Sequence, residues 1–94
     1  MSLENRKKVP VGDIENALSA LRHRLHYRVK QYGDHGFASI HEILGLISEE
    51  FREFEEEVHS DKSELRYKIS SELLDIAVGC IWGYLSIAHK TIDW

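Results

Sequence analysis

A chain of 94 residues has room for one core, and at this size only about 60% of the surface exposed by the unfolded form is buried, so a single domain is expected. With 43% hydrophobic and 30% charged residues the composition is globular rather than disordered. The net charge is −4, and it is uneven: residues 1–35 hold seven Lys/Arg against four Asp/Glu, residues 36–94 five against twelve, which excludes a generally basic protein that coats nucleic acid.

The single Cys80 leaves no intrachain disulfide framework and fits a reducing, cytoplasmic setting. The N-terminus has basic residues but no apolar run behind them, so no secretory signal is expected. One proline, Pro10, and almost no apolar alternation point to helices throughout. Residues 1–12 read as a tail and 13–94 as one helical domain.

A first helix is expected over about residues 13–31, capped by Asp13, with an apolar stripe at Ile14, Leu18, Leu21, Leu25, Val29 and Tyr32. Gly33 and Gly36 in the following loop permit backbone angles that end it. Ser39 and Glu42 have the spacing of a capping box and open a second helix running to about His59. Its most apolar stripe, Ile40, Leu44, Ile47, Phe51, Phe54 and Val58, is the expected core face. After a turn at 59–62, a third helix is expected from about Asp61 to His89.

At ~1.5 Å per residue the third helix would reach about 43 Å against roughly 30 Å for the second, so its far half overhangs anything one chain can pack on it. Residues 76–88 carry no charged side chain, and an exposed apolar surface of that extent implies a partner. The expected architecture is therefore an all-α antiparallel bundle of about three helices per chain, completed by self-association as a homodimer or homotetramer into four-helix-bundle-like cores. The apolar stretch 73–88 is interrupted by Asp75 and falls short of the roughly 20 residues a bilayer demands, so it reads as a buried helix and no membrane partner is expected.

A second stripe of helix two reads Ile43, Leu46, Glu50, Glu53 and Glu57, apolar and then acidic. By 100° per residue Glu50 borders the core and Glu53 lies further out. With Glu49, Glu55 and Glu56 nearby, the stripe also fits a solvated acidic face. Asp75, however, is the only acid between Leu73 and Ile92, on a seam with Lys68, Glu72, Gly79 and Ser86. A buried charge needs a partner. In a purely structural reading Lys68 pairs with Glu72 and Asp75 finds an arginine such as Arg28.

Glu50 with Glu53, and Glu72 with Asp75, are two i,i+3 pairs. In an antiparallel hairpin about the turn they meet at similar height. Four carboxylates facing one another repel, and the arrangement makes sense chiefly with cations between them. Oxygen donors without Cys or suitably spaced His point to Mg²⁺ or Mn²⁺, ions that complete their shells with water and substrate phosphates. A guanidinium on Asp75 that left no room for a cation would leave only the bundle.

These residues carry a resemblance. The strings Ser48-Glu49-Glu50-Phe51-Arg52-Glu53-Phe54 and Ser71-Glu72-Leu73-Leu74-Asp75-Ile76-Ala77-Val78 resemble the two motif helices, ExxE and then ExxD, of the MazG-like all-α nucleoside triphosphate pyrophosphatases, over about residues 37–88. The resemblance implies hydrolysis of a nucleoside triphosphate between its α and β phosphates, giving a monophosphate and pyrophosphate. It implies Glu50, Glu53, Glu72 and Asp75 as Mg²⁺ ligands and one glutamate, Glu53 or Glu49, as general base.

The chain departs from the pattern after the ExxD helix, where only His89, Lys90 and Thr91 stand in for the basic or amide phosphate ligands of many relatives. Lys68, Arg24, Arg28 and Lys30 are then the candidates for phosphate, with His35, His41 and Trp82 as further substrate contacts; no nucleic-acid polymer is expected as partner. Gly79 and Gly83 open space for a base or permit close helix contact. Two other readings stand beside this one: a catalytically silent helical interaction module, and a di-iron bundle using Glu56-x-x-His59, which lacks the second Glu-x-x-His that class requires.

Overall fold

The computed structural model describes residues 5–60 and 66–93, except the side chain of Arg66. Among them are three α-helices: α1 (Ile14–Tyr32), α2 (Ile40–Val58) and α3 (Arg66–Ala88). The all-α expectation holds. The expected start of the third helix near Asp61 lies outside the described residues.

A 3₁₀ turn, Val11–Asp13, leads into α1. Asp13 precedes the helix, but its carboxylate caps no backbone N–H and instead accepts from Asn16 Nδ2 at 3.4 Å. α1 ends where Gly33 takes φ +81°, a left-handed value that glycine adopts without a Cβ clash, while its N–H closes on Val29 O. Ser39 caps α2 as expected, the Glu42 N–H donating to Ser39 Oγ at 3.1 Å, while Glu42 Oε2 accepts from the Ala38 N–H, one residue before the cap.

α2 packs along α3, and α1 lies on α3 beside it. Two glycines set the antiparallel register. A Cβ on Gly83 would lie 3.0 Å from Ile43 Cγ2, and one on Gly79 3.4 Å from Leu46 Cδ2. These glycines serve close contact between α2 and α3, and Gly79 also borders a cleft described below.

The buried core is small and sits at the end of the hairpin where α2 begins and α3 finishes. Phe37, Ile43 and Ile92 form it, with Leu46, Ile47 and Trp82 packed around. Phe37 is held there by polar contacts that leave few loose ends. Its N–H donates to the buried Ser86 Oγ, which donates to Trp82 O, and its carbonyl accepts from Thr91 Oγ1. The Asp93 N–H donates to Ala38 O, so the C-terminal segment lies against the loop before α2.

The face that α2 turns inward differs from the expectation. Of the expected stripe, Ile47 packs against the core and Phe54 is partly buried, but Leu44 is 62% exposed and Phe51 51%, with Ile40 and Val58 also on the outside, whereas Ile43, Leu46, Glu50, Glu53 and Glu57 turn toward α3. Hydrophobicity alone selects the most apolar stripe as the core. Here the mixed stripe is internal because Ile43 and Leu46 fit the glycine notches, and rotation about the helix axis then carries the acids inward with them.

The described part of α3, 23 residues, is about 35 Å long against about 28 Å for α2. Its stretch Tyr67–Ala88 is long and apolar enough to cross a membrane by length and composition, more than residues 73–88 alone imply.

Gly36 is the tightest point of the loop: a Cβ there would run into the Thr91 side chain. Gly36→Ala is expected to lower stability by about 1–3 kcal/mol, as overpacking does. Urea denaturation checks this through a lower midpoint at unchanged slope; an unchanged midpoint would mean the C-terminal segment is not held against the loop.

Candidate metal centre

Beyond the glycine notches the register brings the acidic half of α2 against the first half of α3. One carboxylate oxygen each from Glu50, Glu53 and Glu72 lies within 4.8 Å of the other two. Asp75 stands next to them, close enough that its charge raises the proton affinity of both Glu50 and Glu72. The two i,i+3 pairs therefore meet at one height.

The electrostatics are those of crowded like charges. Burial first, then the neighbouring carboxylates Glu53, Asp75, Glu72 and Glu49, push Glu50 up from 4.5 to about 7. Burial, followed by Glu53 and Asp75, also raises Glu72. Glu50 Oε2 and Glu72 Oε2 are buried with no hydrogen-bond partner. Orphaned carboxylate oxygens at a site made only of oxygen donors fit a hard divalent cation.

Asp75 is occupied differently. Arg24, from α1, donates through Nη1 to Asp75 Oδ1 at 2.6 Å and to Ser71 O, and through Nη2 to Ser71 Oγ at 2.8 Å. This is the ion pair among the described residues. The partner anticipated by the structural reading is thus an arginine, but Arg24 rather than Arg28, and Lys68 forms no ion pair with Glu72. Room remains beside the guanidinium, because a cleft of about 780 Å³ runs between α1 and the hairpin, with Glu50 and Asp75 in its wall.

Arg28 lines the same cleft, its guanidinium 4.7 Å from the ring centre of Trp82, 5.4 Å from Phe37 and 5.9 Å from Tyr32. Three aromatic faces around one cation hold it in place. Trp82 Nε1 donates to His35 O, so that donor is already used. Lys68 and His41 are exposed and do not line the cleft, and Glu49 is exposed one position before Glu50. Tyr27, a cleft residue, was not singled out by the sequence; its position one turn from His23 and next to Arg28 is the available signal.

A carboxyl whose folded pKa is raised prefers its protonated form in the folded state. The stability it contributes is complete below about 4.5 and is lost as pH rises through about 7. In metal-free buffer, wild type is therefore expected to lose thermal stability between pH 5 and 8, and Glu50→Gln to remove part of that loss. The two melting temperatures should converge at pH 5 and separate at pH 8 with the variant higher; parallel profiles would contradict the crowding of these acids.

Comparison with family models, with curated proteins and with solved structures finds no match to this chain.

Proposed function

We propose that the protein is a Mg²⁺- or Mn²⁺-dependent nucleoside triphosphate pyrophosphohydrolase of the MazG-like kind. The single observation that carries the reading is the convergence of Glu50, Glu53 and Glu72, with unpartnered buried oxygens on Glu50 and Glu72, beside a cleft that Glu50 lines. The site of cleavage, between the α and β phosphates, follows from the resemblance of the ExxE and ExxD strings.

Glu50, Glu53 and Glu72 would hold the cation, with Asp75 as a fourth ligand once Arg24 leaves it. A bound Mg²⁺ supplies charge neutralisation for the triphosphate and a lowered pKa for an attacking water. Glu53 would take that proton in place of holding the cation; Glu49, exposed on the same helix, is the competing acceptor. Arg28 offers a fixed positive charge inside the cleft, and Tyr27 and Tyr32 offer ring surface for a base. Lys68 and His41 reach substrate only if a second copy of the chain brings them to the cleft.

Self-association belongs to the same reading. Leu44 and Phe51 of α2, Ile14 and Leu18 of α1, and Leu73 and Ile87 of α3 are all exposed. Pairing these faces between copies would give four-helix-bundle-like cores and cover α3, which in addition carries Glu72 and Asp75 toward a charged cluster rather than toward lipid. Light scattering should return a dimer or tetramer mass, and a monomer mass would contradict this part. The Arg24 to Asp75 pair favours a second reading, a silent interaction module in which the guanidinium has replaced the metal.

The two readings separate in a panel of canonical and modified (d)NTPs with Mg²⁺, assayed for pyrophosphate against orthophosphate. Pyrophosphate release is expected, and Glu50→Gln or Asp75→Asn should reduce it by about 10²-fold or more at near-wild-type helicity. Full turnover in either variant would refute the metal-site assignment, and no release from any triphosphate would favour the silent module.

A further inference from the structure

We propose that Arg24 is a resident counter-ion that keeps Asp75 occupied in the metal-free protein and passes to a phosphate oxygen of the polyphosphate ligand when a divalent cation takes its place. The inference rests on the metal-centre reading above and adds a role for a side chain on a different helix.

Four observations support it. Arg24 engages only one oxygen of Asp75, Oδ1, and so is not a bidentate clamp. Its side chain is 35% exposed and that of Asp75 39%, so the pair sits at the cleft wall, where solvent makes an ion pair weak and exchangeable. Four carboxyl groups are gathered there and one guanidinium pairs with one of them, so the other three have no cationic partner among the described residues. Finally, the side chain is anchored from α1 on one side of the cleft and touches α3 on the other, so its release leaves a mobile cation beside the place where phosphates would lie.

Arg28 differs in kind. Packed against Trp82, Phe37 and Tyr32 and bonded to no carboxylate among the described residues, it supplies positive charge without competing for a metal ligand. This makes it the control for the electrostatic field alone.

The test uses the full chain and Mn²⁺ as probe, with binding followed by the loss of the free-ion paramagnetic signal. Arg24→Gln is expected to bind Mn²⁺ alone about three- to tenfold more tightly than wild type, the gain from deleting a weak competing ion pair. Arg28→Gln, which removes the same charge, should change it less. With saturating Mg²⁺, Arg24→Gln should bind an α,β-imido nucleoside triphosphate more weakly than wild type, a reversal that a merely structural role does not produce. Ser71→Ala loosens the anchor of Arg24 without touching a carboxylate and should shift Mn²⁺ affinity in the same direction by a smaller factor, so the proposal stays testable if Arg24→Gln folds poorly.

Unchanged or weakened Mn²⁺ affinity in Arg24→Gln, equal tightening in Arg28→Gln, or undiminished analogue binding overturns the proposal while leaving the metal centre intact. Wild type that binds no Mn²⁺, or binds it with no sensitivity to Glu50→Gln, overturns the metal centre and this proposal together.

Discussion

Like charges held at close range govern this molecule. Glu50, Glu53 and Glu72 bring oxygens within 4.8 Å of one another, and Asp75 adds a fourth acid whose field reaches two of them. Nothing in a two-helix hairpin requires that placement. Burial first, and then the neighbouring acids, push Glu50 up to about 7, a cost the folded chain carries near neutral pH. A fold tolerates such a cost where the charges do something, and collecting a divalent cation is the use that oxygen donors of this number support.

The packing that enforces the crowding is local and simple. Gly79 and Gly83 let Leu46 and Ile43 approach α3 closely, and the helical repeat then delivers Glu50 and Glu53 to the same line of contact. Phe37, pinned through Ser86 and Thr91, and Ile92 close the far end of the hairpin. Because this core is small, much apolar surface stays outside it, along α2 and along α3. Inward acids and outward apolar residues are the reverse of the arrangement of a lone bundle. The inversion is coherent if the outward face meets a second copy and the inward face meets a cation.

Much of this was legible in the residues. The helices, the Ser39 and Glu42 cap, and the meeting of the two acidic pairs all follow from spacing, since periodicity and i,i+3 geometry are local properties. The orientation of α2 was not. Choosing its most apolar stripe as the core ignores the steric demand of the glycine notches, which only a packed partner reveals. The identity of the arginine on Asp75 was equally hidden, because Arg24 and Arg28 share a face of α1 and the docking of α1 on α3 decides between them. Ser71, whose hydroxyl fixes Arg24, gives no sequence signal apart from its place one turn before Asp75. The cleft itself, formed between α1 and the hairpin, has no counterpart in any one helix.

The central claim is that these carboxylates are the ligands of one cation site. It is tested most directly by crystals grown with Mn²⁺ and measured at its absorption edge. An anomalous peak among the carboxylates of Glu50, Glu53 and Glu72, with Arg24 moved off Asp75, is the predicted result. Density that keeps Arg24 on Asp75, with no anomalous signal among the three glutamates at millimolar Mn²⁺, would contradict it.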